Sequence, residues 1–321
     1  MKRAFVTGGS GFLGKRLITA LVANGIEVRA LARSETAAIA VRGSGGEPVR
    51  GDLGDTAAMQ AGMADCEVVF HAAAFVEEHG RLADFMRVTV EGTANTLAAA
   101  KAAGVKRFIH VSTEAVLADG NPIIQADETR PIATKPAGPY GLTKGLAEHA
   151  VLAANAPGFT TVIIRPRFIW GAGDTSLLPK IIAAVKAGKF AWIGGGHYLT
   201  STCHVANVVE GALLAAERGK DGEIYFLTDG EPVDFRDFIT AMLATQGVDA
   251  GTRTVPRWVA KTLASVTSWM KTPPVTRTAV ALVGGEVTVV DAKARKELGY
   301  ASTVTRDAGL AEMRAARASN A

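Results

Sequence analysis

Short apolar runs alternate with longer amphipathic stretches through the first two-thirds of the chain. The runs Ala4–Thr7, Glu27–Leu31, Pro48–Arg50, Val68–His71, Arg107–Val111, Thr161–Arg165 and Glu223–Leu227 are short, with their apolar residues in near-continuous blocks. That pattern suits strands buried on both faces. Between them, Phe12–Asn24, Glu35–Val41, Thr56–Gly62, Arg81–Ala103, Tyr140–Ala154 and Val205–Glu217 carry apolar residues at helical spacing. Strand-helix alternation of this kind predicts an α/β fold, a doubly wound parallel sheet with helices on both faces. Ligands of such sheets sit at the carboxyl ends of the strands.

After Trp170 the texture changes. Gly171–Asp174 reads as a turn, Leu177–Ala187 as a helix and Trp192–Gly196 as a glycine-rich loop, and from Glu231 onward the segments are shorter and broken by proline. The expected organisation is a main domain from 1–173 plus 201–230, and a smaller C-terminal substrate subdomain from 174–200 plus 231–321. Within the latter, Arg257–Lys271 places Trp258, Thr262, Val266, Trp269 and Met270 at helical spacing. Three roles fit: a helix packed on the core, a lid over an apolar pocket, or a helix resting on a membrane surface with Arg257, Lys261 and Lys271.

Composition narrows the class. The 321 residues are 48% hydrophobic, enough for a large core, and the net charge of +4 is dispersed without a basic block. Nucleic acid is therefore not an expected partner. Cys66 and Cys203 stand far apart with no CxxC pairing, which fits a reduced, cytoplasmic protein. The first strand starts at once, leaving no room for a signal peptide, and no long uncharged apolar run predicts a membrane span.

The chemistry begins at the first strand, which runs into Val6-Thr7-Gly8-Gly9-Ser10-Gly11-Phe12-Leu13-Gly14. Gly8 permits a tight turn, Gly11 lets the backbone approach phosphate oxygens, and Gly14 lets the next helix pack closely. The N–H groups and positive dipole end of that helix face the anion. This is the cradle of a dinucleotide pyrophosphate. Further on, Tyr140 and Lys144 share one helical face, one turn apart. An ordinary tyrosine is a poor base at neutral pH, and a neighbouring ammonium favours its phenolate. A hydroxyl from the strand ending in Val111-Ser112-Thr113-Glu114-Ala115-Val116 would hold the substrate oxygen.

Together these motifs resemble those of the extended short-chain dehydrogenase/reductases, and T-G-G-S-G-F-L-G, G-D-L and V-S-T-E-A-V are closest to the 3β-hydroxysteroid dehydrogenase and dihydroflavonol reductase branch. The resemblance implies the Rossmann form of the doubly wound sheet. It also implies that Thr113 is the catalytic hydroxyl (Ser112 if the register slips), Tyr140 the general acid/base and Lys144 the residue that lowers its pKa and binds the nicotinamide ribose. Phe12 and Leu13 belong to the implied cofactor loop. Asp52 would meet the adenine amino group with Leu53 along the ring. Ala72, Ala73 and Ala74 would lie beneath the cofactor, and Pro166 and Phe168 along the nicotinamide. His204-Val-Ala-Asn207 matches H-V-x-D with Asn for Asp, and Asp291–Tyr300 resembles the closing helix. Thr89 stands where the family usually has an asparagine that supports a water relay to the lysine.

The second strand ends in Ala32-Arg33-Ser34, without the acidic residue that accepts from a ribose 2′-hydroxyl. A guanidinium beside a hydroxyl suits a 2′-phosphate, so the expected cofactor is NADP, with NAD as the alternative. Position after strand ends nominates Phe75, Val76, Glu114, Phe168, Trp192 and His204 as substrate-facing. The histidines show no metal-binding pattern, and His71, His110 and His204 read as structural. The expected function is NAD(P)-dependent interconversion of a secondary alcohol and a ketone, or aldehyde reduction, on an apolar, sterol-like or polyketide-like small molecule, by a chain that forms a homodimer. A nucleotide-sugar epimerase or dehydratase and a non-catalytic dinucleotide-binding protein are the rival classes.

Overall fold

Seven parallel strands form the central sheet: β1 (Arg3–Thr7), β2 (Glu27–Ala32), β3 (Glu47–Arg50), β4 (Val68–His71), β5 (Arg107–Val111), β6 (Thr160–Pro166) and β7 (Ile224–Leu227). In the computed structural model, which describes residues 1–77, 80–270 and 273–319, their order is β7-β6-β5-β4-β1-β2-β3. The expected strands are these seven, displaced by a residue at most. Alternation along each strand sorts side chains onto two faces. Ala4, Val6, Val68, Phe70, Ile109, Val162 and Ile164 join one core, while Phe5, Val69, Phe108 and Ile163 join the other. Helices cover both faces, so the strands are apolar on both sides except at the edge strand β3, where Glu47 and Arg50 are exposed.

Helices α1 (Phe12–Ala23) and α2 (Glu35–Gly43) follow the first two strands, and α3 (Thr56–Gly62) the third. Ser34 caps α2 by accepting from the Ala37 N–H, and Asp55 caps α3 through the Ala58 N–H. The stretch expected to be one helix, Arg81–Ala103, is helical at Leu82–Phe85 and at Gly92–Ala102 (α4), with a widened π-type turn at Met86–Glu91 between them. Such turns often mark functional sites, and this one carries Thr89. Helix α5 (Pro139–Ala154) starts with proline at its first position, where no amide partner is lost.

The second lobe has its own core of Phe168, Trp170, Trp192, Phe235, Phe238 and Met242, among α6 (Leu178–Lys186), α8 (Phe235–Thr245) and α12 (Arg306–Ala318). Helix α7 (Val205–Arg218) packs on the large sheet. The lobes are more interleaved than 174–200 plus 231–321 implies. Ile123–Ala126 pairs with Val287–Val289 in the second lobe's four-stranded sheet, while Ala294, Leu298 and Tyr300 of the closing segment join the core of the large sheet. Helix α11 (Ala292–Leu298) thus belongs with the first lobe.

The expected helix over Arg257–Lys271 is α9 (Arg257–Val266), followed by turns; Lys271 lies outside the described residues. Its large side chains do not enter the core. Only Ala260 and Ala264 are buried, against Val280 of α10 (Arg277–Val283), while Trp258 is 71% and Trp269 83% exposed. Two alanines suffice to dock this helix, and the tryptophans lie on the other side. The core reading is corrected for them, and so is Trp269 as a pocket wall.

Candidate active site

The glycine loop forms a cradle shaped by absent side chains. Gly8 has φ of +73°, and a Cβ there would lie 2.8 Å from the Ala73 nitrogen and 2.9 Å from the Ala72 carbonyl carbon. A Cβ on Gly14 would lie 2.0 Å from the Gly8 oxygen, so α1 begins directly against the turn. Gly11 is the N-cap of α1, offers no side-chain cap, and is exposed, and the first turn carries no acid. The first amides of α1 are thus left for an anion. Sequence reasoning missed Gly9, where a Cβ would come within 2.9 Å of both Ala30 and Ile18. Phe12 is buried and Leu13 half-buried, which leaves chiefly their backbone for a ligand to meet.

The other expected cofactor residues line the same carboxyl edge of the sheet. Ala72, Ala73 and Ala74 are half-buried at the end of β4, with the Ala73 N–H donating to Thr7 Oγ1 at 3.3 Å. Asp52 is exposed after β3 and accepts from the Gly54 N–H, and the Leu53 carbonyl accepts from Asn95 Nδ2. Arg33 is exposed at the end of β2. The acid near it, Glu35, pairs with Arg42 and Arg50. Ser34 is committed to capping α2, so its oxygen is shared between helix and any ligand.

Thr113, Tyr140 and Lys144 come together where β5 meets α5. Thr113 lies two residues beyond β5 and caps the turn Glu114–Leu117. Its hydroxyl donates to Glu114 Oε2 at 2.8 Å. Burial and the Glu114 charge push the Tyr140 phenol well above its ordinary pKa, and its contact with Thr113 pulls it partly back. Lys144 does not counter that rise in the ligand-free chain. Its Nζ donates to the Val111 carbonyl at 2.6 Å and lies 3.3 Å from His110 Nε2. Burial lowers the Lys144 pKa to about 8, against the raising influence of Glu148. Ser112, the alternative, is buried, and its hydroxyl has no hydrogen-bond partner among the described residues.

Two histidines lie behind the lysine. His71 is held between Thr7 Oγ1 at 2.7 Å and Thr93 Oγ1 at 2.9 Å, and stacks on His110 with ring centroids 5.3 Å apart. Burial, then the Lys144 charge, lowers the His71 pKa to about 3, and His110 is lowered in the same way. His71 is a satisfied structural histidine. His110 is more than that: its Nε2 faces the lysine and its Nδ1 has no partner among the described residues. Thr89, in the asparagine's place, accepts from the Phe75 N–H at 3.1 Å and is committed there.

Two buried ion pairs frame the site, and neither was legible in the sequence. Arg165 makes a two-pronged contact with Glu148 at 2.9 and 2.6 Å, tying β6 to the far side of α5. Arg167 donates to Glu114 at 2.9 Å, to Thr200 Oγ1 and to the Leu282 carbonyl. Directly after Arg167, Phe168 adopts φ of +49°, a strained conformation for a bulky residue and one typical of functional sites.

The substrate candidates divide. Glu114 touches Thr113, and Phe75 packs edge-on against Phe85 with centroids 4.6 Å apart, while Val76 is exposed. Phe168 is buried against Phe235 and Phe238. Trp192 and His204, each 1% exposed, offer a substrate no surface. Trp192 donates its indole N–H to the Gly251 carbonyl, and His204 caps α7 and packs on Trp170. Asn207 accounts for its departure from the family aspartate: its amide donates to Asp229 and to the Val304 carbonyl while its oxygen accepts from the Val304 N–H. A carboxylate there would face Asp229. Among the described residues, His197, Asp234 and Asp237 alone cluster three ligand-type atoms, and Asp234 is the cap of α8.

Comparison with known proteins identifies the family. The profile of the 3-beta hydroxysteroid dehydrogenase/isomerase family matches residues 5–257. The chain is 53% identical to 4-hydroxy-2-methyl-3-oxo-4-farnesyl-3,4-dihydroquinoline-1-oxide ketoreductase of Stigmatella aurantiaca, covering 98% of this chain and 96% of that protein. It is 30% identical to sterol-4-alpha-carboxylate 3-dehydrogenase, decarboxylating, of Dictyostelium discoideum, over 98% of this chain and 100% of the relative. A solved short-chain dehydrogenase/reductase superfamily protein from Agrobacterium tumefaciens, with NAD bound, superposes with a TM-score of 0.77 at 25% identity, covering 99% and 98% of the two chains. The chain belongs to the 3-beta hydroxysteroid dehydrogenase/isomerase family of extended short-chain dehydrogenase/reductases, and it is an NAD(P)-dependent oxidoreductase.

Proposed function

We propose that the protein is an NADPH-preferring ketoreductase for a ketone carried on a large apolar scaffold. The observation that carries this is the meeting of Thr113 with a protonated Tyr140, one turn from Lys144, in a chain so similar to a farnesyl-quinoline ketoreductase. NADPH would lie along Gly8–Gly14, Asp52–Leu53, Ala72–Ala74 and Pro166–Phe168, and when bound it supplies the hydride. A phenol held protonated is poised to donate to the carbonyl oxygen as that oxygen gains charge. Thr113 holds the oxygen once its own proton is drawn from Glu114 Oε2. Lys144 would hold the nicotinamide ribose, and an ammonium brought nearer the phenol would offset part of the Tyr140 rise.

Arg33 supports the choice of NADPH: its guanidinium is exposed at the ribose end, and the acid near it is engaged by two other arginines. Losing one charge-assisted contact is worth about 1.5–3 kcal/mol, so Arg33→Ala should erase roughly tenfold or more of the preference. Fluorescence titration of NADPH and NADH tests this, and equal affinities in the unmutated protein overturn it. Turnover of a series of ketones of rising apolar bulk, followed by NADPH absorbance, tests the reaction. A tightly retained NAD with no net cofactor oxidation would favour an epimerase instead. Cytoplasmic residence and a homodimer belong to the same proposal, and light scattering tests the second.

A further inference from the structure

Helix α9 and the turns after it expose Trp258, Val266, Trp269 and Met270 at 71%, 59%, 83% and 40%. Two tryptophans in water on one short segment carry a hydrophobic cost that folding leaves uncompensated. The charge carried by the segment itself has one sign, although Asp119 lines the same surface hollow as Lys261 and Arg277. From Ala250 to Gly285 the chain contains no aspartate or glutamate, and Arg253, Lys261 and Arg277 are exposed there. An amphipathic helix with tryptophans on its outer face and cations at its flanks fits the boundary between lipid headgroups and acyl chains, because indole is amphipathic and anionic headgroups attract lysine and arginine.

The segment is joined to the active site. Helix α10, on which α9 packs, lies so close to the start of α5 that a Cβ on Gly138 would sit 2.1 Å from Thr278 Oγ1. The carbonyls of Leu282 and Val283, at the other end of α10, accept from Arg167 and Tyr198. We propose that α9 and the turns up to Met270 dock the enzyme onto an anionic phospholipid surface, with the substrate side of the cleft facing the bilayer. The docking itself does not depend on the ketoreductase reading; only its benefit, delivery of an apolar substrate from lipid, does.

The protein carries its own reporter. Trp170 and Trp192 are buried, so changes in tryptophan emission on vesicle addition come from Trp258 and Trp269. With vesicles of phosphatidylglycerol in phosphatidylcholine, emission should shift to the blue, brominated lipids should quench it, and the protein should sediment with the vesicles. Pure phosphatidylcholine or high salt should weaken binding several-fold. Lys261→Gln or Arg277→Gln should each lower affinity roughly fivefold, at about 1 kcal/mol for each cation near the surface. The Trp258→Ser/Trp269→Ser variant should lose vesicle binding while keeping its melting temperature and its turnover of a water-soluble ketone. Absence of shift, quenching and sedimentation with the unmutated protein at every lipid composition overturns the proposal without using a variant. A dimer in solution that dissociates in the double variant also overturns it, by assigning the face to a second copy.

Discussion

Arg165 and Arg167 stand two positions apart, both buried and both paired with a buried glutamate, yet the two pairs do different things. Arg165 and Glu148 are sealed between β6 and the far side of α5, and Glu148 bears on the site only through its charge, which holds the Lys144 pKa up against burial. Arg167 and Glu114 are equally enclosed, but Glu114 also accepts from Thr113 and raises the Tyr140 pKa. Removing charges from water offsets most of the attraction within such a pair, so neither contributes much net stability, though breaking one leaves an uncompensated charge. What distinguishes them is the third group each carboxylate reaches. One pair fixes the angle of the catalytic helix, and the other sets the protonation and hydrogen bonding of its reactive face.

The largest effect expected bears on the reactive face. Tyr140→Phe should lower turnover by about two to four orders of magnitude with an unchanged melting temperature; near-normal turnover would remove the reactive side of the comparison. Next, Glu148→Ala strands a buried guanidinium and should cost about 3–5 kcal/mol in urea unfolding. Arg167 keeps Thr200 and the Leu282 carbonyl as acceptors when its glutamate is neutralised, so Glu114→Gln should cost less stability than Glu148→Gln but more kcat, and should lower the apparent pKa of Tyr140 in the pH–rate profile. If Glu148→Gln moved that profile and Glu114→Gln did not, the roles assigned to the pairs would be reversed.

The smallest effect concerns the histidines behind Lys144. His71 keeps its neutral form until about pH 3 in the folded chain, against an ordinary value of 6.5, and burial lowers His110 as well. Between those pH values the unfolded chain binds more protons, so stability rises with pH across the window and falls on acidification. Melting temperature should therefore decline as pH drops from about 6.5 toward 3, and less steeply in a His71→Asn variant that still folds. Equal slopes would show that the histidines do not set it.

The sequence by itself determined what depends on neighbours along the chain. Strand periodicity, the Gly8–Gly14 turn and the one-turn spacing of Tyr140 and Lys144 follow from backbone sterics and helical geometry, and these recur in the structure. Tertiary structure decided what depends on strand order and through-space packing. It brought His110 to Lys144 and Arg167 to Glu114, threaded Ile123–Ala126 into the second lobe's sheet, and turned Trp258 and Trp269 outward. Apolar spacing shows that a helix has an apolar face, but whether that face meets protein depends on what folds against it. Here two alanines were enough to hold α9 in place, and the tryptophans remained outside.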